Sequence, residues 1–317
     1  MQPARNPVVV IAGPTASGKS KLALEAARAF GGAVINADSM QVYRELRILT
    51  ARPSPEEEAL VPHRLYGVMS AAERCTAGHW AQLATAAVRE AVSAGRLPIV
   101  VGGTGFYINA LMHGLSAIPE VPQEARAEAA ALHAALGAEA FHAELARVDP
   151  AAAARLPAAD TQRVTRAYEV WLATERPLSA WQAEPPVRPL PDAAFQVFVL
   201  DPPRAELTAA IDRRLEAMMA AGALDEVRGL KEMALDPTLP ATKALGVPDL
   251  LAYLEGRVGY DAAVAAAKLQ TRQFAKRQAS WFRTQVGPAD RVSEQFSERL
   301  TAKIFPKIRE FVLTAQK

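Results

Sequence analysis

Val8-Val9-Val10-Ile11-Ala12 runs directly into Gly13-Pro14-Thr15-Ala16-Ser17-Gly18-Lys19-Ser20. The second stretch fits G-x-x-x-x-G-K-[ST], the phosphate-binding loop. Its setting strengthens the reading. A short, continuous apolar run precedes it, as expected of a buried parallel strand. Lys19 to Phe30 follows it, with Leu22, Ala23, Ala26, Ala27 and Phe30 on one helical face. Strand, loop and helix together aim successive backbone N–H groups and a helix N-terminus at one place, which favours an anion. Lys19 adds a point charge for an outer phosphate, and the Ser20 hydroxyl can join a magnesium shell. The loop therefore predicts binding of a di- or triphosphate and leaves its identity open.

Two further runs extend the pattern. Ala33-Val34-Ile35-Asn36-Ala37 ends at Asp38. Pro98-Ile99-Val100-Val101 ends at Gly102-Gly103-Thr104-Gly105 and leads into a helix from about Phe106 to His113. Strands alternating with helices imply a parallel sheet with its ligand beyond the carboxyl ends of the strands. The expected fold is α/β, a P-loop NTPase-like parallel sheet flanked by helices. From about Gly114 to Pro191 the texture turns to alanine-rich helix, at Gln123–Ala135, Glu139–Ala146 and Thr161–Thr174. This predicts an all-helical insertion domain over 114–191, inside a catalytic core of 1–113 plus 192–317. The sheet is expected to resume at Phe195–Leu200. Helices follow at about Arg204–Ala221, Leu224–Met233, Pro248–Leu254 and Tyr260–Arg283.

Bulk properties narrow the setting. At 317 residues, 50% hydrophobic and 22% charged, the chain is an ordinary globular one. A net charge of +2 confines any nucleic-acid surface to a local patch. One cysteine, Cys75, excludes a disulfide framework and cysteine-rich zinc sites. No apolar run approaches the ~20 residues of a membrane helix, and no signal peptide is read at the start. A soluble, cytoplasmic protein is expected, with no membrane partner.

Several residues can carry chemistry. A carboxylate at a strand end beside a phosphate site, as at Asp38, can hold magnesium or act as a general base; it can equally cap a helix. Gly102–Gly105 is either a second anion-contacting turn or a tight strand-to-helix turn capped by Thr104. Arg163 and Arg166 share a helix face, either solvated or facing a polyanion. Ala262 to Arg283 contains no acid and five cations: Lys268, Arg272, Lys276, Arg277 and Arg283. Lys268, Arg272 and Lys276, at i, i+4 and i+8, form a stripe that is an electrostatic footprint for nucleic acid or a solvated helix with core aromatics. Asp201 reads as part of a turn.

Taken together, these motifs resemble the bacterial tRNA dimethylallyltransferases, also called tRNA isopentenyltransferases. The resemblance runs nearly the whole chain. It rests on Gly13–Ser20, Asp38-Ser39-Met40-Gln41-Val42-Tyr43-Arg44 and Val101-Gly102-Gly103-Thr104-Gly105-Phe106-Tyr107. Asp160–Val170, Lys243-Ala244-Leu245-Gly246 and Thr271–Gln278 complete it. It implies transfer of a dimethylallyl group from dimethylallyl diphosphate to the N6 amine of an adenosine just 3′ of the anticodon. The tRNAs concerned read codons beginning with U. The phosphate loop then holds the leaving diphosphate, with Lys19 and Mg2+ near Ser20 stabilising its charge. Asp38 accepts the amine proton, and Thr104 binds diphosphate or orients the adenine. Ser39, Met40 and Gln41 line the base pocket beside Asp38. The resemblance also implies tRNA contacts at Arg126, Gln162, Arg163, Val164, Thr165, Arg166, Lys243, Arg272, Lys276, Arg277 and Arg283. The enzyme is expected to act as a monomer.

The chain departs from the family pattern in places. Leu49 stands for a glycine, Arg52 for a lysine and Val247 for a tyrosine, which bears on local tRNA contacts and loop shape. A small-metabolite P-loop kinase shares the loop but leaves Gln162–Arg166 and the basic helix unexplained. A non-catalytic RNA-binding module leaves Asp38 and Thr104 unexplained.

Overall fold

A computed structural model describes residues 5–315. Its centre is a six-stranded sheet in the order β3 (His63–Arg64), β2 (Gly32–Asn36), β4 (Leu97–Gly102), β1 (Asn6–Ala12), β5 (Ala193–Leu200) and β6 (Asp290–Val292), with every pairing parallel. In chain order the first elements are β1 (Asn6–Ala12), α1 (Lys19–Phe30), β2 (Gly32–Asn36), α2 (Pro55–Leu60) and β3 (His63–Arg64). Next come α3 (Ala77–Ser93), β4 (Leu97–Gly102) and α4 (Gly105–His113). After the helical segment, the chain returns as β5 (Ala193–Leu200). The strands β2 and β4 are buried along their whole length. That is why they read as unbroken apolar runs rather than alternating ones.

One face of the sheet shows how the core is built. Val9 and Ile11 of β1, Ile99 and Val101 of β4, and Phe198 and Leu200 of β5 pack in one cluster with Leu22, Ala23 and Ala26 of α1. Successive side chains of a strand alternate in direction, so the i, i+2 spacing puts each pair on one face. The end of the chain completes this layer. Leu300, Ile304 and Ile308 join the cluster at helical spacing. Each such fully buried aliphatic side chain contributes roughly 1.5–3 kcal/mol.

The chain divides into two compact units, one from the start to Met112 with Pro189 onward, the other His113–Arg188. The second contains α5 (Gln123–Val148), α6 (Pro150–Ala153), α7 (Thr161–Thr174) and α8 (Leu178–Ala183). The two helices expected over Gln123–Ala146 form α5, whose arms meet at Gly137 (φ 75°, ψ 171°). The unit has its own apolar core around Phe141, Leu145, Val164 and Tyr168. Asp149 caps α6 through the Ala152 N–H (2.9 Å) and accepts the Ser179 N–H with its other oxygen (2.9 Å).

Beyond β5 lie α9 (Arg204–Ala220), α10 (Ala223–Glu232), a 3-10 turn at Pro240–Lys243, α11 (Val247–Leu254) and α12 (Tyr260–Gln285). The chain then forms β6 (Asp290–Val292) and α13 (Glu298–Ala315). The helices α2, α3, α6, α8 and α13, the 3-10 turn and the short edge strands β3 and β6 were not expected from the sequence. Among the described residues, no helix is long and apolar enough to cross a membrane.

Candidate active site

Three turns leave the carboxyl edge of the sheet side by side. They follow β1, β2 and β4, which are neighbours in the order β2-β4-β1. The phosphate loop is the first. Gly18 is the N-cap of α1 at φ 86°, with no side-chain cap and no acidic residue in the first turn. The first N–H groups of α1 are thus left for a ligand. Ala16 also has positive φ (63°), a conformation costly for a residue with a Cβ and concentrated at functional sites. The Ser17 hydroxyl oxygen is buried with no hydrogen-bond partner.

Lys19 is buried, and its Nζ donates to the Pro14 carbonyl (3.2 Å). Burial lowers its pKa from 10.5 to about 8; the charge of Asp38 opposes the drop and that of Arg214 adds to it. Arg214, on α9, donates through Nη2 to the Thr15 hydroxyl. Burial lowers its pKa too, and Asp38 again opposes this. Two cations and one carboxylate therefore share one electrostatic environment. The sequence reading missed Arg214. A signal was present: it interrupts the apolar stripe Leu207, Ile211, Leu215, Met218 of α9.

The second turn carries Asp38. Asn36, the last residue of β2, shapes it. The Asn36 side-chain oxygen accepts the Asp38 N–H (2.8 Å), and its amide donates to the carbonyls of Asp38 and Leu65 (both 3.0 Å). Asp38 Oδ1 accepts the Met40 N–H (3.0 Å), which sets the carboxylate's direction. The third turn follows β4. The Thr104 N–H donates to Ala37 O (3.1 Å). Its hydroxyl accepts the Ser39 N–H (2.9 Å) and lies 3.3 Å from the Ser39 hydroxyl. Thr104 thus touches the Asp38 turn directly. Behind it, Tyr107 stacks on Trp80 (centroids 4.7 Å, planes 17° apart), and Trp80 Nε1 donates to Asn36 O (3.0 Å).

A cleft of about 330 Å³ opens between these turns and the helices after β5. Thr15, Asp38, Ser39, Thr50, Arg214, Lys243, Gln270, Thr271 and Arg277 supply its polar lining; Met40, Leu49, Ile211, Leu215, Met218, Leu245 and Phe274 make an apolar wall. A second hollow of about 420 Å³ lies against the loop and shares Arg214; Lys19, Ser20, Lys21, Arg52 and Tyr66 line it. The segment bearing Leu49 is held by Glu226, whose carboxylate accepts the N–H groups of Arg47 and Ile48 (both 2.5 Å) and Leu49 (2.9 Å). Arg52 donates to the carbonyls of Tyr43 (3.4 Å) and Arg44 (3.3 Å).

Two expected contacts are not available. Gln41 is buried, and its amide donates to Thr50 O (2.8 Å) and Ala51 O (3.0 Å); it props the loop and does not line the cleft. Val164 is 1% exposed in the helical unit's core, because it falls on the inner face of α7. Its neighbours Gln162, Arg163 and Arg166 are exposed, while Thr165 and Arg126 are half-buried. Arg163 pairs with Asp160 (3.5 Å) and Arg166 with Glu169 (3.2 Å).

The basic stripe of α12 is also divided. Lys268 pairs with Glu216 (2.6 Å), Arg272 with Asp212, and Arg283 with Asp201 (2.8 Å). Lys276 and Arg277 are exposed and have no ion-pair partner among the described residues. Lys243 is exposed as well, at the end of the 3-10 turn.

Comparison with known proteins adds identity to this geometry. The profile of the IPP transferase family matches residues 41–285, and that of isopentenyl transferase matches residues 6–72. A tRNA dimethylallyltransferase of Rhodospirillum centenum is 55% identical over 289 residues, 91% of this chain and 92% of the relative. One from Rhodospirillum rubrum is 53% identical over 310 residues, 98% of this chain and 95% of the relative. Among solved structures, a tRNA isopentenylpyrophosphate transferase of Bacillus halodurans is similar over 98% of both chains (TM-score 0.71, 30% identity). A eukaryotic dimethylallyltransferase acting on tRNA shares the fold (TM-score 0.82, 24% identity, 96% of this chain and 80% of that one). By sequence and by structure, the chain belongs to the IPP transferase family, that of the tRNA dimethylallyltransferases.

Proposed function

We propose that the chain transfers a dimethylallyl group from dimethylallyl diphosphate to the N6 amine of the adenosine 3′ to the anticodon. The substrates are tRNAs reading codons that begin with U. One observation carries the reading. Thr15 of the phosphate loop borders a cleft that is lined by the Asp38 carboxylate and by an apolar wall of Leu49, Ile211, Leu215, Met218 and Phe274. Such a wall matches the hydrocarbon part of an allylic donor.

The diphosphate sits on the loop N–H groups and the N-terminus of α1, between Lys19 and Arg214. Both cations stabilise the charge that grows on it as the C1–O bond breaks. The amine nitrogen attacks C1, the N–C bond forms, and Asp38 takes the departing proton. An aromatic amine is a weak nucleophile, so orientation matters as much as basicity. Thr104 and Asn36 supply it by fixing the Asp38–Ser39 turn, and Ser39 and Met40 border the base.

The donor set fits magnesium. Ser20 offers a hard hydroxyl oxygen at the start of α1, beside the hollow that Lys19 also lines. Magnesium keeps several waters and takes the rest of its shell from one or two protein oxygens and substrate phosphates. When bound through Ser20 it supplies further charge neutralisation to the diphosphate.

Lys243, Lys276 and Arg277 face the tRNA from the core, with Arg272 and Arg283 released from their carboxylates to join them. The helical domain over 114–191 adds Arg126, Gln162, Arg163, Thr165 and Arg166. The enzyme works as a monomer in the cytoplasm.

The test incubates the chain with magnesium, dimethylallyl diphosphate and unmodified tRNA, then weighs the nucleosides after digestion. Dimethylallyl-adenosine is expected; γ-phosphate transfer from ATP in its place would favour a kinase. Asp38→Asn keeps an oxygen for the Met40 N–H but loses the base, and kcat is expected to fall about 10²–10⁴-fold. Binding of the anticodon stem-loop should survive; a near-normal rate in this variant would remove Asp38 as the base.

A further inference from the structure

Gln278 lies on α12 directly after Lys276 and Arg277, within the run that faces tRNA in the proposed function. Its own side chain turns the other way and is 6% exposed. Oε1 accepts the Thr15 N–H (2.8 Å), and Nε2 donates to Gly103 O (2.9 Å). Thr15 belongs to the loop that holds the leaving group. Gly103 precedes Thr104, which in turn holds Ser39 next to Asp38. Among the described residues, no other side chain hydrogen-bonds both turns.

The fit is specific at each end. A backbone N–H needs an acceptor and a backbone C=O needs a donor; a primary amide presents both from one side chain. Gly103 is not at positive φ, so backbone freedom does not explain the glycine there. A Cβ at that position would collide with Gln278 Nε2. The glycine makes room for the amide, and the amide lashes the two turns together.

We propose that Gln278 is a positioning residue for the transfer: it fixes the phosphate loop, which carries the donor, relative to the Asp38–Thr104 turns, which carry the base. The proposal rests on the function above. It assigns Gln278 no contact with either substrate. Its consequence is a loss in turnover rather than in binding, because displacement of reacting groups by about 1 Å costs on the order of 10²-fold.

The test is a double-mutant cycle of Gln278→Ala and Gly103→Ala, with steady-state kinetics on dimethylallyl diphosphate and an anticodon stem-loop. Gln278→Ala should lower kcat by about 10²-fold with both KM values within about threefold of the parent. Gly103→Ala, which expels the amide while leaving residue 278 intact, should do the same. The double variant should be no worse than either single one, since alanine at 278 leaves space for the new methyl group. Hydrogen exchange at the Thr15 amide should speed up in all three.

A Gln278→Ala enzyme with kcat within about threefold of the parent would overturn the proposal. So would a loss confined to KM for the stem-loop, which would make Gln278 a tRNA contact. Strictly additive losses would also overturn it. If Gln278→Ala does not fold, Gly103→Ala decides alone by its kcat. If the parent chain prenylates no tRNA, the functional reading fails by itself; unchanged exchange at Thr15 would separately sink the lash.

Discussion

Two glycine-rich turns leave neighbouring strands of the same sheet, and both have glycines with no room for a Cβ, but only the first also needs glycine for its backbone conformation. In Gly13–Ser20, Gly13 and Gly18 have φ of 149° and 86°, conformations closed to most side chains. The loop curls around open space lined by Lys19 and Ser20. In Gly102–Gly105, no glycine has positive φ. A Cβ on Gly102, Gly103 or Gly105 would run into Ala37, Gln278 or the Trp281 ring, as one on Gly13 or Gly18 would run into Leu200 or Phe296. The first turn leaves the N-terminus of α1 without a side-chain cap. The second is shaped for the protein itself, so that Thr104 can reach Ser39. A glycine cluster beside a phosphate site is therefore no measure of how many phosphate contacts there are.

The contrast can be broken most forcefully at Lys19. Lys19→Met removes the buried charge from the first turn, and affinity for inorganic pyrophosphate should fall about 10²–10³-fold by calorimetry. The same cation sets a pH limb. Its pKa is lowered to about 8, so raising the pH through that value strips its proton and its attraction for the anion. Affinity in the parent should decline through pH 8, and that Lys19-dependent limb should vanish in Lys19→Met. Survival of the limb would place the titration elsewhere.

The second turn should respond in stability. Gly105→Ala forces a methyl group against the Trp281 ring and should cost roughly 1–3 kcal/mol, read as a lower melting temperature. An unchanged melting temperature would mean that α12 yields freely there, and the packing account of this turn would fail.

The smallest effect tests the outer face of α12, whose inner face closes that turn. Lys276→Ala with Arg277→Ala should weaken stem-loop binding and reduce the slope of log K against log salt by about 1.5. Lys268→Ala, which removes a partner of Glu216, should move that slope far less. Equal slopes in the two variants would erase the distinction between the paired and unpaired halves of the stripe.

Much of this was legible from local patterns. The phosphate loop announces itself because its spacing is set by the chain's own turn and helix start. Asp38 and Thr104 could be placed at the sheet edge, because each follows a buried apolar run. The helix α3 was also legible, since Trp80, Ala84, Val88 and Ala91 repeat at helical spacing behind the Thr76 cap, though it was not read. The edge strands β3 and β6 were not legible: two or three residues carry no periodicity. Lys268, Arg272 and Arg283 read as one stripe with Lys276 and Arg277, because their partners Glu216, Asp212 and Asp201 are far away in the chain.

The sequence by itself determined the parallel α/β sheet, the phosphate-loop motif between β1 and α1, and the places of Asp38 and Thr104 at the sheet edge. Each depends on residues within a few positions of one another, where turn geometry and strand or helix period act. Tertiary structure alone decided that Arg214 joins Lys19, that Gln41 and Val164 turn inward, that Glu226 holds the Leu49 segment, and that Gln278 bridges two turns. Those outcomes depend on groups brought together from distant parts of the chain, and burial and hydrogen-bond pairing, not local pattern, select them.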